Sequence, residues 1–66
     1  HRVQDRVLHL LATEGEAGRY LVPGGLKSLA AELGVTHEAL YRGLSALEQA
    51  GRLAREAGAL RLLPAL

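Results

Sequence analysis

Sixty-six residues with eight Lys/Arg, seven Asp/Glu and a formal net charge of +1 make one small domain, close to the lower limit of what a single core stabilises. The chain has no cysteine, which excludes disulfide support and gives no sign of an oxidising compartment. No apolar run approaches the roughly 20 residues of a membrane span, and no stretch reads as a signal peptide.

Phe, Trp and Met are absent, so the core must be aliphatic and chiefly leucine. The chain begins at His1 without a methionine, and it is expected to be a piece of a longer protein. Residues 2–14 are predicted to form a first helix. Val3, Val7, Leu10 and Leu11 share one face and Arg2, Asp5, Arg6 and His9 the other. Asp5 and His9 stand at i, i+4, a spacing that allows a side-chain pair. Leu8 lies off the main stripe and suggests a second contact surface. Gly15-Glu16-Ala17-Gly18 has turn chemistry. Arg19-Tyr20-Leu21-Val22 reads as a short strand that Pro23-Gly24-Gly25 ends, with Gly25 as the cap of the next helix.

Leu26, Leu29, Ala30 and Leu33 fall at i, i+3, i+4 and i+7, one buried helical stripe. Gly34 follows where a left-handed residue stops a helix. Val35 plugs the turn, and Thr36 caps the next helix by accepting from a free backbone N–H. Leu40, Leu44 and Leu47 line the second stripe, and the helix over 37–50 ends at Gly51. Ala39, Gly43 and Ala46 flank that stripe and are expected to let the first helix of the motif pack close. Beyond Gly51 the period changes from helical to alternating. Arg52-Leu53-Ala54-Arg55 and Ala59-Leu60-Arg61-Leu62, with Ala57-Gly58 between them, predict a hairpin. Leu62 to Leu66 is too apolar for a free tail. With Leu8 it is expected to pack on a region outside this chain, leaving an apolar patch exposed here.

The expected fold is mainly α with a small antiparallel β-sheet. It is a winged helix-turn-helix of three helices plus a hairpin wing, one domain over residues 1–66, with the motif at 26–50 and the wing at 52–63. A helix-turn-helix serves above all to lay its second helix in the major groove of DNA. The outer face of helix 37–50 carries His37, Glu38, Tyr41, Arg42, Ser45 and Gln49. Arg42 can offer a bidentate fork to guanine, Glu38 can accept from cytosine N4–H, and His37 and Ser45 can donate or accept. Tyr41 either reaches a base or packs sideways. Glu38 also suits the helix dipole, and at i, i+4 it could simply pair with Arg42. Backbone contacts are expected from Lys27, the cap Thr36, and the wing residues Arg52 and Arg55. From Arg19 to Arg61 six basic residues stand against four acidic ones, a local balance of +2 and a modest footprint for phosphate. His1, His9 and His37 are too dispersed for a metal cluster. No nucleophile–base pair or P-loop is present, so neither catalysis nor a metal is expected.

The string Leu29-Ala30-Ala31-Glu32-Leu33-Gly34-Val35-Thr36-His37-Glu38-Ala39-Leu40-Tyr41-Arg42-Gly43-Leu44, then Leu47-Glu48 and Gly51, resembles the C-terminal DNA-binding domain of the Crp/Fnr (cyclic-AMP receptor protein type) transcription regulators. The likeness covers essentially the whole chain, from the opening helix to the closing hairpin. It implies a bacterial, cytoplasmic, homodimeric regulator whose N-terminal sensor domain, with a cyclic nucleotide or other effector, lies outside this chain. No cofactor is then expected in the fragment itself. The resemblance further implies double-stranded DNA as partner, RNA polymerase as a further one, and no membrane association. Glu38 and Arg42 match the family's base-reading glutamate and arginine, and Lys27 matches a position that faces the DNA backbone. His37 stands where the family usually has arginine, Ala39 replaces a hydroxyl residue that often meets phosphate, and Gly25 replaces the usual threonine cap. Two other readings remain open from the residues: a winged helix used as a protein–protein interaction module, and an accessory DNA-binding domain of a helicase or recombinase.

Overall fold

Leucine spacing brings five of the six elements onto one core. The computed structural model describes residues 2–64. It orders them as α1 (Val3–Glu14), β1 (Arg19–Leu21), α2 (Gly25–Leu33), α3 (His37–Gln49), β2 (Leu53–Glu56) and β3 (Ala59–Leu62). Val7 and Leu11 of α1, Leu29 and Ala30 of α2, Leu40, Leu44 and Leu47 of α3, and Leu53 and Leu60 of the hairpin meet with Val22 in a single cluster. No polar or charged side chain among the described residues is buried, so apolar burial dominates the stability of the domain. The strands form an antiparallel sheet in the order β1-β3-β2. Arg19, Tyr20 and Leu21 face Arg61, Leu60 and Ala59, and Leu53 to Glu56 pair with Leu62 to Ala59. Three helices and a three-stranded sheet closed by a hairpin are the arrangement of a winged helix. None of the described helices is long and apolar enough to cross a membrane.

The ends of the two motif helices are set by the same backbone device. Gly34 has φ 70° and Gly51 φ 71°. After α2, the Val35 N–H donates to the Ala30 carbonyl at 3.0 Å and the Gly34 N–H to Ala31 at 3.1 Å. After α3, Arg52 donates to Leu47 at 2.9 Å and Gly51 to Glu48 at 3.0 Å. Both pairs have the six-to-one and five-to-two pattern of a Schellman motif, which satisfies carbonyls a helix end leaves free. A β-carbon at either position would strain the left-handed backbone. The start of α3 uses a side chain instead: Thr36 Oγ1 accepts from the Ala39 N–H at 3.0 Å. Thr36→Ala is expected to cost about 1 kcal/mol, read as a lower thermal midpoint in the free domain.

Several expectations need correction. The elements begin or end one residue away at six points: α1 starts at Val3, β1 ends at Leu21, α2 starts at Gly25, α3 ends at Gln49, and β2 starts at Leu53 and ends at Glu56. The N-cap of α2 is Gly24, without a side-chain hydrogen bond, because Gly25 itself takes φ 78° as the chain turns into the helix. Leu8 is half-buried and packs against the core, as does Leu62, and Leu63 is also half-buried. These residues therefore offer no broad apolar patch, while Ala65 and Leu66 lie outside the described residues. Among the described residues the exposed large aliphatic side chain is Leu21 on the sheet edge, at 60%. Asp5 and His9 are not among the ion pairs of the described residues. The small residues of α3 meet α1 rather than α2. A β-carbon on Gly43 would lie 3.3 Å from Val3 Cγ1 and 3.6 Å from Gln4 Cγ, so glycine lets the start of α1 approach the α3 backbone.

Candidate nucleic-acid interface

The 3.6-residue period divides the surface of α3 into strips. Leu40, Leu44 and Leu47 point inward and are buried. Ala39, Gly43 and Ala46 turn toward α1, where with Arg42 they line a shallow groove shared with Arg2, Val3 and Gln4. The remaining arc faces outward. His37, Glu38, Tyr41, Arg42 and Gln49 are exposed there, and Ser45 is half-buried. Glu38 stands in the first turn, where the free N–H groups of the helix favour a carboxylate. Lys27 is exposed in the first turn of α2, Thr36 is the exposed cap, and Arg52 is exposed just before β2.

Pairing decides which of these charges remain available to a ligand. Three ion pairs form among the described residues, and none includes Arg42, Lys27 or Arg52. The alternative in which Glu38 neutralises Arg42 is not realised. Arg55 is held more firmly. Its Nε reaches Glu48 Oε1 at 2.8 Å and its Nη2 reaches the same oxygen at 2.7 Å. The guanidinium also lies 5.5 Å from the centroid of the Tyr41 ring. His37 meets the same ring edge-on, with centroids 4.5 Å apart and planes at 78°.

The outer face of the sheet carries a second cluster. Arg19 and Arg61 are directly opposed across β1 and β3, a like-charge pairing that would destabilise the sheet if left alone. Glu56 on β2 resolves it. Its carboxylate accepts from Arg61 Nε at 2.7 Å and from Arg19 Nε at 3.1 Å. The hydrogen bond from Arg61, then that from Arg19, hold its pKa below the ordinary 4.5, and the Arg61 guanidinium is shifted upward in turn. A carboxylate with a depressed pKa in the folded state stabilises fully above its unfolded pKa and loses that contribution as pH falls through the folded one. The stability difference between wild type and Glu56→Gln is therefore expected to be constant from neutral pH to about 4.5 and to shrink below it. Urea midpoints across pH 7 to 3 check this.

Sequence reasoning found the outer arc of α3 but missed the two glutamates that tie up three of the arginines. The Arg19–Glu56 pair joins residues 37 apart, and no local spacing announces it. Among the described residues no three His, Asp or Glu side chains gather as metal ligands. Comparison of the chain with protein-family models, with curated proteins and with solved structures gave no match. Fold and surface chemistry define a class, a winged helix with a polar outer strip on its third helix.

Proposed function

We propose that the domain binds double-stranded DNA sequence-specifically and regulates transcription, with α3 in the major groove. The observation that carries this reading is Arg42: an exposed guanidinium on the outer arc of α3, outside every ion pair of the described residues, one turn from Glu38. A fork donor beside a carboxylate acceptor suits a guanine and a neighbouring cytosine better than it suits a phosphate backbone, which would repel Glu38. Lys27 and Arg52 flank this strip as cations for the backbone, and Thr36 keeps its hydroxyl hydrogen free to donate after accepting from Ala39.

The resemblance to the Crp/Fnr regulators extends the proposal. The chain would work as a cytoplasmic homodimer reading two half-sites about 34–36 Å apart, or a multiple of one helical turn. Its effector would bind a sensor domain outside this sequence, and RNA polymerase would be a further partner. His37 and Ala39 depart from the family pattern, so the preferred half-site should differ from the family's usual one.

Selection from a pool of random duplexes at low salt, followed by fluorescence anisotropy, tests the reading. Enrichment of a defined half-site is expected. With Lys27 and Arg52 as the proposed backbone cations, log K per domain should fall against log salt with a slope of about −2. Failure of every duplex to associate at low ionic strength overturns the proposal.

A further inference from the structure

We infer that Tyr41 is a positioning residue for the wing, and that it leaves base reading to Glu38, Arg42 and Ser45. The inference rests on the DNA-binding reading for its functional half and on the geometry of the free domain for the other. At about 100° per residue, His37, Tyr41 and Glu48 fall within about 40° of one another on α3. They make a strip beside the reading arc. Leu53 and Arg55 share one face of β2, two residues apart. Leu53 is buried in the core at 2% exposure, and Arg55 extends that face beyond the core, over the strip on α3. There its guanidinium is fixed on two sides, by the Glu48 carboxylate at 2.7 Å and by the Tyr41 ring at 5.5 Å. His37 meets the same ring edge-on, with centroids 4.5 Å apart. The four side chains form a continuous line, Glu48-Arg55-Tyr41-His37, from the last turns of α3 to its first residue.

Such a line has a clear purpose in a fold of this size. The hairpin has strands of four residues each, too short to be stable alone. Leu53 at its base and Leu60 and Ala59 near its turn are buried, and β1 pairs with β3 on one side. β2 is the outer strand of the sheet, and the stack of Arg55 on Tyr41 ties the turn end of that strand to α3. A guanidinium over an aromatic face and an ion pair are each weak at an exposed site. Acting on one side chain, they hold the outer strand of the wing against the recognition helix. The Arg52 N–H already ties the start of that strand to Leu47 of α3 at 2.9 Å, so the stack supplies the second point of attachment.

The test compares Tyr41→Ala with Tyr41→Phe, which keeps the ring and removes the hydroxyl. In the free protein, hydrogen exchange at the amides of residues 54–56 should be about two- to fivefold faster in Tyr41→Ala. The amides of α3 and the thermal midpoint should hold, because Tyr41 is 39% exposed. Upfield ring-current shifts of the Arg55 side-chain protons should vanish in Tyr41→Ala and persist in Tyr41→Phe. On duplexes, Tyr41→Ala should weaken the selected half-site and random DNA several-fold alike, with Tyr41→Phe close to wild type. Unchanged wing exchange in Tyr41→Ala overturns the inference, as does a change of base preference, which would make Tyr41 a reader. A wild-type domain that binds no duplex overturns the DNA reading instead, and the exchange and ring-current measurements still decide whether Tyr41 orders the wing.

Discussion

Leu44→Ala is expected to lower the stability of the domain by about 2–5 kcal/mol, the range for truncating a fully buried leucine. Leu44 is 0% exposed and sits in the cluster that joins α1, α2 and the hairpin to α3. The lost apolar contact is only part of the cost. Its neighbours are held by three helices and a paired sheet, so the vacated space cannot collapse without moving an element. A chain of 66 residues has roughly 3–10 kcal/mol of total stability, so the substitution removes a large share of it. At about 4–8 °C per kcal/mol for a domain this small, the thermal midpoint should fall by at least ~8 °C. Leu21→Ala is the control. Its side chain is 60% exposed, and surface substitutions of this kind stay within about 0.5 kcal/mol. Equal midpoints for Leu44→Ala and wild type would mean that a different face of α3 is buried.

Arg42→Ala carries the second large effect, on binding. Loss of a bidentate contact to a base should cost about 1–3 kcal/mol on the selected duplex and relax the preference at one base pair. That is roughly a five- to 150-fold drop in affinity. Lys27→Ala gives the comparison. As a backbone contact it should weaken selected and random duplexes by the same factor and flatten the salt slope by about one. Competition titrations with both duplex classes separate the two behaviours. An equal loss on both classes for Arg42→Ala would assign Arg42 to the backbone and leave base reading to its neighbours. Arg42 is well suited to this test because it is exposed and lies outside the core, so its truncation should leave the fold intact.

The helix-turn-helix was legible in the sequence because its boundaries are chemical. Gly34 and Gly51 mark the positions where the backbone turns left-handed, and Thr36 marks the cap between them. The leucines at i, i+4 and i+7 of α3 leave one choice of inward face, which in turn fixes the outer arc. The hairpin followed from alternation after Gly51. What stayed hidden depends on long-range packing. The partner of Gly43 is set by the crossing of α1 over α3, and the period of α3 cannot say which helix lies on its small-residue side. Leu8 looked surplus because one helical stripe was counted, whereas α1 wedges between α3 and β3 and buries a wider arc. The six basic residues between 19 and 61 looked equivalent by position. Folding separates them: Arg19, Arg55 and Arg61 meet glutamates from other elements, while Lys27, Arg42 and Arg52 do not. Tyr41 was undecided between two roles for the same reason, since its neighbour Arg55 comes from β2.

The paired Schellman ends of α2 and α3 have a consequence for how such a domain diversifies. The turn into the recognition helix and the exit toward the wing are fixed by main-chain hydrogen bonds and two glycines, and a single threonine hydroxyl completes the frame. Residues 38, 42 and 45 contribute nothing to that frame. Under the proposed DNA-binding reading, evolution can therefore rewrite the target of α3 one codon at a time while the helix keeps its pose, and a new half-site does not require a new architecture.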